Sequence, residues 1–299
     1  MGRLDCRCLR GARCRIDRKG PVMTMQATQA IPIAKVAGRQ IDAAHPYISV
    51  SNVRKIYHTA SGDIEAVSKV DFDITSGDFV SILGPSGCGK STLMMMMGGL
   101  ESISSGSIVI GGEPVVAPRA DLGYVFQDAT LLPWNNVLDN VLFPIRLRDG
   151  STAKYRERAR ELLELVGLWE FRNKRPGELS GGMRQRVAIC RGLINDPALL
   201  LMDEPFSALD AISRDDMNVA LADIWDRFHK TAIFITHSIR EAVFLSDRIL
   251  VMSRRPSTVC YDVRVDFPRP RNMKIQETVE FNELCGVLRK KIEEGYKNS

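Results

Sequence analysis

A short glycine-rich loop is the stretch of this 299-residue sequence best equipped for chemistry. Residues 84–92 are GPSGCGKST, between an apolar run at 79–83 that predicts a buried strand and a predicted helix at 93–100. Glycines let backbone N–H groups approach an anion without interference from a Cβ, and a helix N-terminus attracts the same charge. This spacing is that of a phosphate-binding P-loop. We therefore predict nucleotide contacts from Gly84, Pro85, Ser86, Gly87, Cys88, Gly89, Lys90, Ser91 and Thr92.

Two adjacent carboxylates follow a second apolar run, in LLLMDEP at 199–205. Burying charge is costly unless it meets a cation, so we assign Asp203, together with Ser91, to Mg²⁺. Alternation along an extended chain predicts that Glu204 points the other way, as general base for the water that attacks the γ phosphate. Lys90 is expected to reach the β and γ phosphates.

A second candidate anion site is LSGGMRQR at 179–186, where a hydroxyl and two glycines precede a helix predicted to start near Met183. One nucleotide does not need two such sites. Ser180 either caps the helix and does nothing more, or the segment serves another nucleotide. Both interpretations can hold together, but the second one implies a dimer.

Taken in order, these motifs resemble those of the ATP-binding subunits of ABC transporters. The resemblance covers about residues 47–270 and rests on LSGGMRQR above all, with the P-loop, LLLMDEP, SALD at 207–210, Gln127 and His237. It implies ATP and Mg²⁺ as cofactors, and a head-to-tail homodimer with ATP at the interface. Each P-loop then faces three residues of the partner, namely Ser180, Gly181 and Gly182.

The resemblance also implies roles for single residues. Gln127 is expected to sense Mg²⁺ and the attacking water, Asp210 to lie near the dimer seam, and His237 to contact the γ phosphate. Tyr57, in VRKIY, matches the aromatic residue that stacks on adenine; the alternative is a plain edge-strand tyrosine. Because the general base and His237 are both present, we expect hydrolysis, although the family often has Asp where this sequence has Ser238.

The closer resemblance is to importer subunits for nitrate, sulfonate and taurine, through LLPWNNVLDNV at 131–141, VFLSDR at 243–248 and SRRP at 253–256. It implies membrane permease subunits as partners, a solute-binding protein as an indirect partner, and a position at the cytoplasmic face of the cell membrane. Trp134 is expected to help dock the permease, unless it packs between helices. Two other functions stay open: the ATPase of an exporter, and a non-transport ABC ATPase.

The elements that must position these residues predict an α/β fold. Apolar runs ending near Gln127, Asp203 and His237 are separated by helical stretches, which is typical of a parallel sheet covered on both faces. Alternating segments from Tyr47 predict an antiparallel β layer. Between about 128 and 186 apolar residues recur at helical spacing. We therefore predict a P-loop NTPase parallel sheet core with an antiparallel β layer and an inserted helical subdomain.

Three parts of the chain are predicted. They are an N-terminal extension at 1–45, expected to be disordered, an ABC ATPase domain at 46–270 and a C-terminal helical tail at 271–299. The last amphipathic helix is expected to place four apolar residues on one face: Phe281, Leu284, Leu288 and Ile292.

The composition is that of an ordinary globular protein, with 44% apolar and 26% charged residues. No apolar run approaches the roughly 18 residues that a membrane span needs. The net charge of +5 comes from residues 1–20, which carry seven basic and two acidic residues, so the rest is neutral and nucleic acid is not an expected partner. Seven cysteines without framework spacing indicate a reducing compartment.

Three further features have competing interpretations. Cys88, at a predicted helix N-terminus, is expected to have a lowered pKa and to be the fastest-alkylating cysteine of residues 47–299, unless its thiol is buried and inert. The four methionines at 94–97 are expected to pack in the core rather than bind a metal. Arg254 and Arg255 are expected to form a solvated turn rather than a phosphate patch.

Overall fold

Two sheets carry the fold in the computed structural model of the protein, which describes residues 46–60 and 62–297. The predicted extension at 1–45 lies outside the described residues. In chain order the strands are β1 (Ile48–Thr59), β2 (Gly62–Ile74), β3 (Phe79–Leu83), β4 (Ser105–Ile110), β5 (Glu113–Pro114), β6 (Leu122–Val125), β7 (Leu199–Asp203), β8 (Thr231–Ile235), β9 (Arg248–Met252) and β10 (Val259–Arg264).

The smaller sheet is antiparallel and has the order β2–β1–β4–β5. In β2, Val70, Phe72 and Ile74 are buried while Asp71 and Asp73 are exposed. This alternation leaves one face for the core and one for water. The antiparallel layer predicted from the alternating pattern is confirmed.

The larger sheet has the order β10–β9–β3–β8–β7–β6, and its strands from β9 to β6 run parallel. The predicted parallel core is therefore confirmed. Strand β10, which the sequence pattern does not predict, pairs antiparallel with β9 at the edge. Its side chains alternate between half-buried and exposed, so the apolar signal that marks the central strands is missing.

The helices lie on both sides of the larger sheet. They are α1 (Lys90–Met97), α2 (Val137–Val141), α3 (Phe143–Asp149), α4 (Arg156–Leu165), α5 (Gly181–Leu193), α6 (Ala211–Phe228), α7 (Ile239–Leu245) and α8 (Val279–Lys297), with 3₁₀ turns at Ala153–Tyr155, Trp169–Phe171, Pro176–Glu178 and Met273–Glu277. Within the described residues, none of these helices is long and apolar enough to cross a membrane.

Side chains of the central strands alternate between two cores. In β3, Val80 and Ile82 join the core formed with the antiparallel sheet and α1, whereas Phe79 and Leu83 join the core formed with the other helices. Successive side chains of a strand point to opposite faces, so a strand covered on both sides must be apolar throughout. Three methionines of α1 are buried in the first of these cores, which confirms the predicted packing role: Met94, Met96 and Met97.

The segment from β6 to β7 is helical and contains no strand. In α4, Ala159, Leu162 and Leu163 are buried on one face. Helix α5 continues past residue 186 to Leu193, and the boundaries of the helical subdomain stay a prediction.

Helix α8 packs on the same core as α7. Phe281 and Leu288 are fully buried, and Leu284 and Ile292 pack beside them, which confirms the predicted apolar face. Arg271, just before this helix, donates to the carbonyls of Phe244 and Ser246 at 3.0 and 2.8 Å. It thereby ties the C-terminal segment to the end of α7.

Candidate nucleotide site

The glycine loop at 84–89 is shaped by close contacts that a side chain would break. A Cβ on Gly84 would lie 2.8 Å from the carbonyl oxygen of Met252. Gly89 has a φ of 117° and precedes α1, and a Cβ there would lie 3.0 Å from the carbonyl oxygen of Ala66. Glycine adopts such a backbone at little cost, so these two positions hold the loop close to its neighbours.

The ammonium group of Lys90 lies inside the loop. Its Nζ donates to the carbonyl oxygens of Gly84 and Pro85, both at 3.0 Å, although the residue is only 4% exposed. It also lies 3.8 Å from Oε1 of Glu204. The side of the loop that contains this buried ammonium is therefore positively charged and suited to bind an anion.

Both carboxylates of the LLLMDEP segment face this loop. Ser91 Oγ donates to Asp203 Oδ1 at 3.1 Å, and burial raises the pKa of Asp203 although this hydrogen bond opposes the rise. Glu204 has a φ of 43°, so its backbone is left-handed rather than extended. The predicted alternation is therefore wrong: the turn at Glu204 directs its carboxylate to the same side as that of Asp203.

Glu204 also contacts His237, which follows the end of β8 by two residues. Its Oε2 lies 3.2 Å from Nδ1 of His237. Strands β3, β8 and β7 are neighbours in the parallel sheet. Their carboxyl ends lie at one edge, which is where ligands bind in open α/β sheets. The topology therefore brings Lys90, Glu204 and His237 together from distant parts of the chain.

Gln127 reaches the same edge from the outermost parallel strand. Strand β6 ends at Val125, two residues before Gln127, and Gln127 Nε2 donates to Ser207 Oγ at 3.2 Å. Together with the loop it lines a cavity of about 380 Å³. The lining residues are Ser86, Gly87, Gly89, Lys90, Ser91, Thr92, Gln127, Glu204 and Arg255.

Several predicted site residues are not part of this lining. Asp203 and His237 contact the lining residues Ser91 and Glu204, and Gly84, Pro85 and Cys88 belong to the loop beside the cavity.

Three other predicted features lie elsewhere in the chain. Ser180 caps α5 by accepting from the N–H of Met183 at 3.3 Å, and Asp210 caps α6 by accepting from the N–H of Ser213 at 3.0 Å. Tyr57 lies in β1, with the ammonium of Lys55 4.9 Å from its ring centre. The capping interpretation of Ser180 is confirmed, and it does not exclude a contact with a second nucleotide.

The two capped segments are neighbours. A Cβ on Gly181 or Gly182 would lie 3.8 Å from Cδ2 of Leu209. Ser180, Gly181 and Asp210 are exposed. Gly181 and Gly182 are the first two residues of α5, which begins two residues before the predicted start at Met183. They lie beside Leu209 of the SALD segment, and neither Gly181 nor Asp210 lines the cavity.

The prediction for Cys88 is wrong. The residue is only 2% exposed, and burial raises the pKa of its thiol although Lys90 opposes the rise. The positive field of the loop is real, but the sulfur faces the core, where the thiolate loses its hydration.

A buried glutamate behind His237 escaped the sequence analysis. Glu241 is 5% exposed, accepts from Thr236 Oγ1 at 2.6 Å and lies 3.4 Å from Arg214 Nε. Arg214 in turn donates to the carbonyl of Leu209 at 2.9 Å. The available signal was the spacing of Ser238 and Glu241, that of a capping box, because Ser238 Oγ accepts from the N–H of Glu241.

The fold and the cavity define a P-loop nucleotide-binding protein. A family model described as ABC transporter matches residues 67–207. An uncharacterized ABC transporter ATP-binding protein of Methanocaldococcus jannaschii is 39% identical over 246 residues, covering 82% of this chain and 92% of that protein. The aliphatic sulfonates import ATP-binding protein SsuB of Bacillus thuringiensis is 39% identical, covering 83% and 96%. The taurine import ATP-binding protein TauB of Rhizobium johnstonii is 49% identical, covering 69% and 79%.

Solved structures are similar as well. A dimeric ATP-binding cassette in a post-hydrolysis state, bound to ADP and Pi, matches with a TM-score of 0.66 and 32% identity, covering 74% of this chain and all of that one. A second dimeric structure of a bacterial ABC transporter cassette matches with a TM-score of 0.65. The chain therefore belongs to the ABC transporter family, as one of its ATP-binding and ATP-hydrolysing cassettes.

The burial of the cysteines predicts their order of reaction. Among Cys88, Cys190, Cys260 and Cys285, only Cys260 is exposed, so N-ethylmaleimide should modify it first even though burial also raises the pKa of its thiol. MgATP should leave that rate unchanged, because Cys260 lies outside the cavity lining. Mass-spectrometric mapping of the adducts over time measures both. Faster labelling of Cys88 would contradict the buried position of its sulfur.

Proposed function

We propose that this chain is the ATPase subunit of an ABC importer, energising uptake of a small solute of the nitrate, sulfonate or taurine class through a separate permease. The observation that carries the ATPase chemistry is the position of Glu204, with one carboxylate oxygen 3.8 Å from Lys90 and the other 3.2 Å from His237. The importer assignment is supported by the relatives named for sulfonate and taurine import.

The glycine loop, Lys90, Gln127, Glu204 and the neighbouring His237 then have these roles in hydrolysis. The loop N–H groups and Lys90 hold the β and γ phosphates, and Gln127 and His237 orient the attacking water and the γ phosphate. As the water oxygen bonds to the γ phosphorus, Glu204 accepts a proton from that water. The bond to the β–γ bridging oxygen breaks, and ADP and phosphate leave.

Ser91 and Asp203 fit a magnesium ion. Ser91 Oγ and Asp203 Oδ1 are hydrogen-bonded to each other at 3.1 Å, so a hydroxyl and a carboxylate oxygen, both donor types that Mg²⁺ prefers, lie together beside Lys90 and would hold the ion directly or through water. In the described part of the chain no group of three or more His, Cys, Asp or Glu could hold a metal by itself. This pattern suits Mg²⁺, which keeps several waters and binds substrate phosphates. The ion would neutralise charge on those phosphates.

The remaining predicted residues act across a dimer in this proposal. Four predicted residues do not line the cavity: Ser180, Gly181, Gly182 and Asp210. All of them except Gly182 are exposed. They are therefore assigned to the nucleotide held by a second copy, and the similar solved cassettes are dimeric. Tyr57 is assigned to the adenine.

Trp134 is assigned to the permease contact at the cytoplasmic face of the membrane. It is 69% exposed, which disfavours the alternative of a tryptophan packed between helices. Leu147, in α3 of the same helical segment, is 72% exposed. Exposed large apolar side chains are typical anchors in protein interfaces. A solute-binding protein would act indirectly, through the permease.

Glu204→Gln should abolish steady-state hydrolysis while ATP binding persists. The amide keeps the shape of the side chain but cannot accept the proton, and losing a general base costs about 10²–10⁴-fold. Phosphate release and equilibrium ATP binding are the two measurements. Glu157→Gln, which changes an exposed carboxylate of α4, is the control. Hydrolysis by Glu204→Gln above a tenth of the wild-type rate would refute the assignment.

The same variant should dimerise when ATP is added. Without nucleotide we expect mostly monomer, because each ATP is needed to join one P-loop to Ser180–Gly182 of the other copy. Sedimentation velocity of Glu204→Gln with and without MgATP measures the change. A dimer of equal stability in both conditions would show that another contact drives association.

Trp134→Ala should reduce co-purification of the permease while basal ATPase activity stays largely intact. The control is Val116→Ala, which removes apolar surface from a residue that is 89% exposed and lies outside the helical segment. Permease recovered per mole of tagged ATPase is the quantity to measure. Equal recovery with both variants would remove Trp134 from the interface.

A further inference from the structure

The turn between β9 and β10 is closed and carries two arginines at its tip. The N–H of Ser253 donates to the carbonyl of Thr258 at 3.0 Å, and the N–H of Thr258 donates to Ser253 Oγ at 3.1 Å. Arg254 and Arg255 lie between these residues and are exposed. The predicted solvated turn is therefore present, and it lies next to the glycine loop.

This turn is fastened to the glycine loop. Ser257 Oγ donates to the carbonyl of Ala66 at 3.0 Å, and a Cβ on Gly89 would lie 3.2 Å from the same Ser257 oxygen. At the other end of the loop, Gly84 is in close contact with Met252, the last residue of β9. The arginines are thus held beside the loop through its two outer glycines.

Only one of the two arginines reaches the nucleotide cavity. Arg255 lines it together with Lys90, Ser91 and Glu204. Both arginines line an adjoining cavity of about 480 Å³ on the outer side of the loop, with residues 85–88. Arg255 therefore spans the wall formed by Ser86 and Gly87, whereas Arg254 stays outside it.

The charge of Arg255 is not neutralised within the described residues, where no carboxylate lies within ion-pair distance of it. Arginines nearby behave differently: Arg248 pairs with Asp262, and Arg264 pairs with Asp78. A guanidinium presents several N–H donors in a planar fork that matches phosphate oxygens. An unpaired guanidinium on the wall of a phosphate cavity has an anion as its natural partner.

We propose that Arg255 is a further nucleotide-binding residue, which donates hydrogen bonds to the triphosphate from the Ser86–Gly87 side of the loop while Lys90 binds it from within. The inference rests on the proposed function, since it takes ATP as the occupant of the cavity. The ligand class is a nucleoside triphosphate. The triphosphate would then be bound also by Arg255, which lies about 165 positions after the P-loop lysine in a turn that is not part of the P-loop motif.

The test compares Arg255→Gln with Arg254→Gln, both in the Glu204→Gln background, which should bind ATP without hydrolysing it. Isothermal titration with MgATP gives the dissociation constants. Arg255→Gln should weaken binding about tenfold, the factor that losing a hydrogen bond to a charged group produces. Arg254→Gln removes the same charge one residue away and should change the constant less than twofold. Arg255→Lys should fall between, since an ammonium keeps the charge but not the fork.

Two outcomes overturn the proposal. Unchanged affinity in Arg255→Gln removes the contact, and equal losses in both glutamine variants indicate a diffuse effect of charge. ATP binding by Lys90→Ala, made in the same Glu204→Gln background, distinguishes a failure of the Arg255 proposal from a failure of the proposed function. If the background protein binds ATP and Lys90→Ala loses it, the nucleotide site stands and only the role of Arg255 falls; if the background protein binds no ATP, both fall. Unfolding temperatures of the variants verify that each one is folded.

Discussion

The parallel hydrogen-bonded ladder that joins β3, β8 and β7 is the constraint on which the rest of the molecule depends. It aligns Ile82 with Ile235 and Asp203 with Ile235, so the three strands end at one edge. Ser91 and Asp203 are 112 residues apart in the chain, and Glu204 and His237 are 33 residues apart, yet each pair lies within hydrogen-bonding distance. Such a ladder needs apolar side chains on both faces, since both faces are covered. The two cores and the site are therefore consequences of the same alignment.

Charge is concentrated where that alignment ends. Lys90, Asp203 and Glu204 are all partly or fully removed from water, and each has an oppositely charged or hydrogen-bonding neighbour that offsets the loss of hydration. The left-handed backbone of Glu204 is an uncommon conformation that costs about 1–3 kcal/mol. Its amide still donates to the carbonyl of Ile235 at 3.0 Å, so the ladder holds the turn in place.

A second layer of polar contacts connects the site to the surface near α6. Glu241 lies between Thr236, next to His237, and Arg214, which donates to the carbonyl just before Asp210. The segment carrying His237 and the segment carrying Asp210 are therefore joined through one buried carboxylate. In the proposed dimer this arrangement would connect the residue at the γ phosphate with the seam between the two copies.

The sequence by itself determined the features whose cause is local. Alternation in β2, continuous apolarity in β3 and the apolar face of α8 each follow from a few neighbouring residues, and all three were predicted correctly. The spacing of glycines, lysine and hydroxyl in the P-loop is equally local, and the nucleotide contacts that it predicts stay a prediction. Tertiary structure decided the rest. Cys88 is buried because the loop turns it toward the core, and Glu204 faces Lys90 because its backbone leaves the extended conformation. Arg255 reaches the cavity because β9 pairs with β3. Burial, side-chain direction and contacts between distant segments depend on packing that no short stretch of sequence specifies.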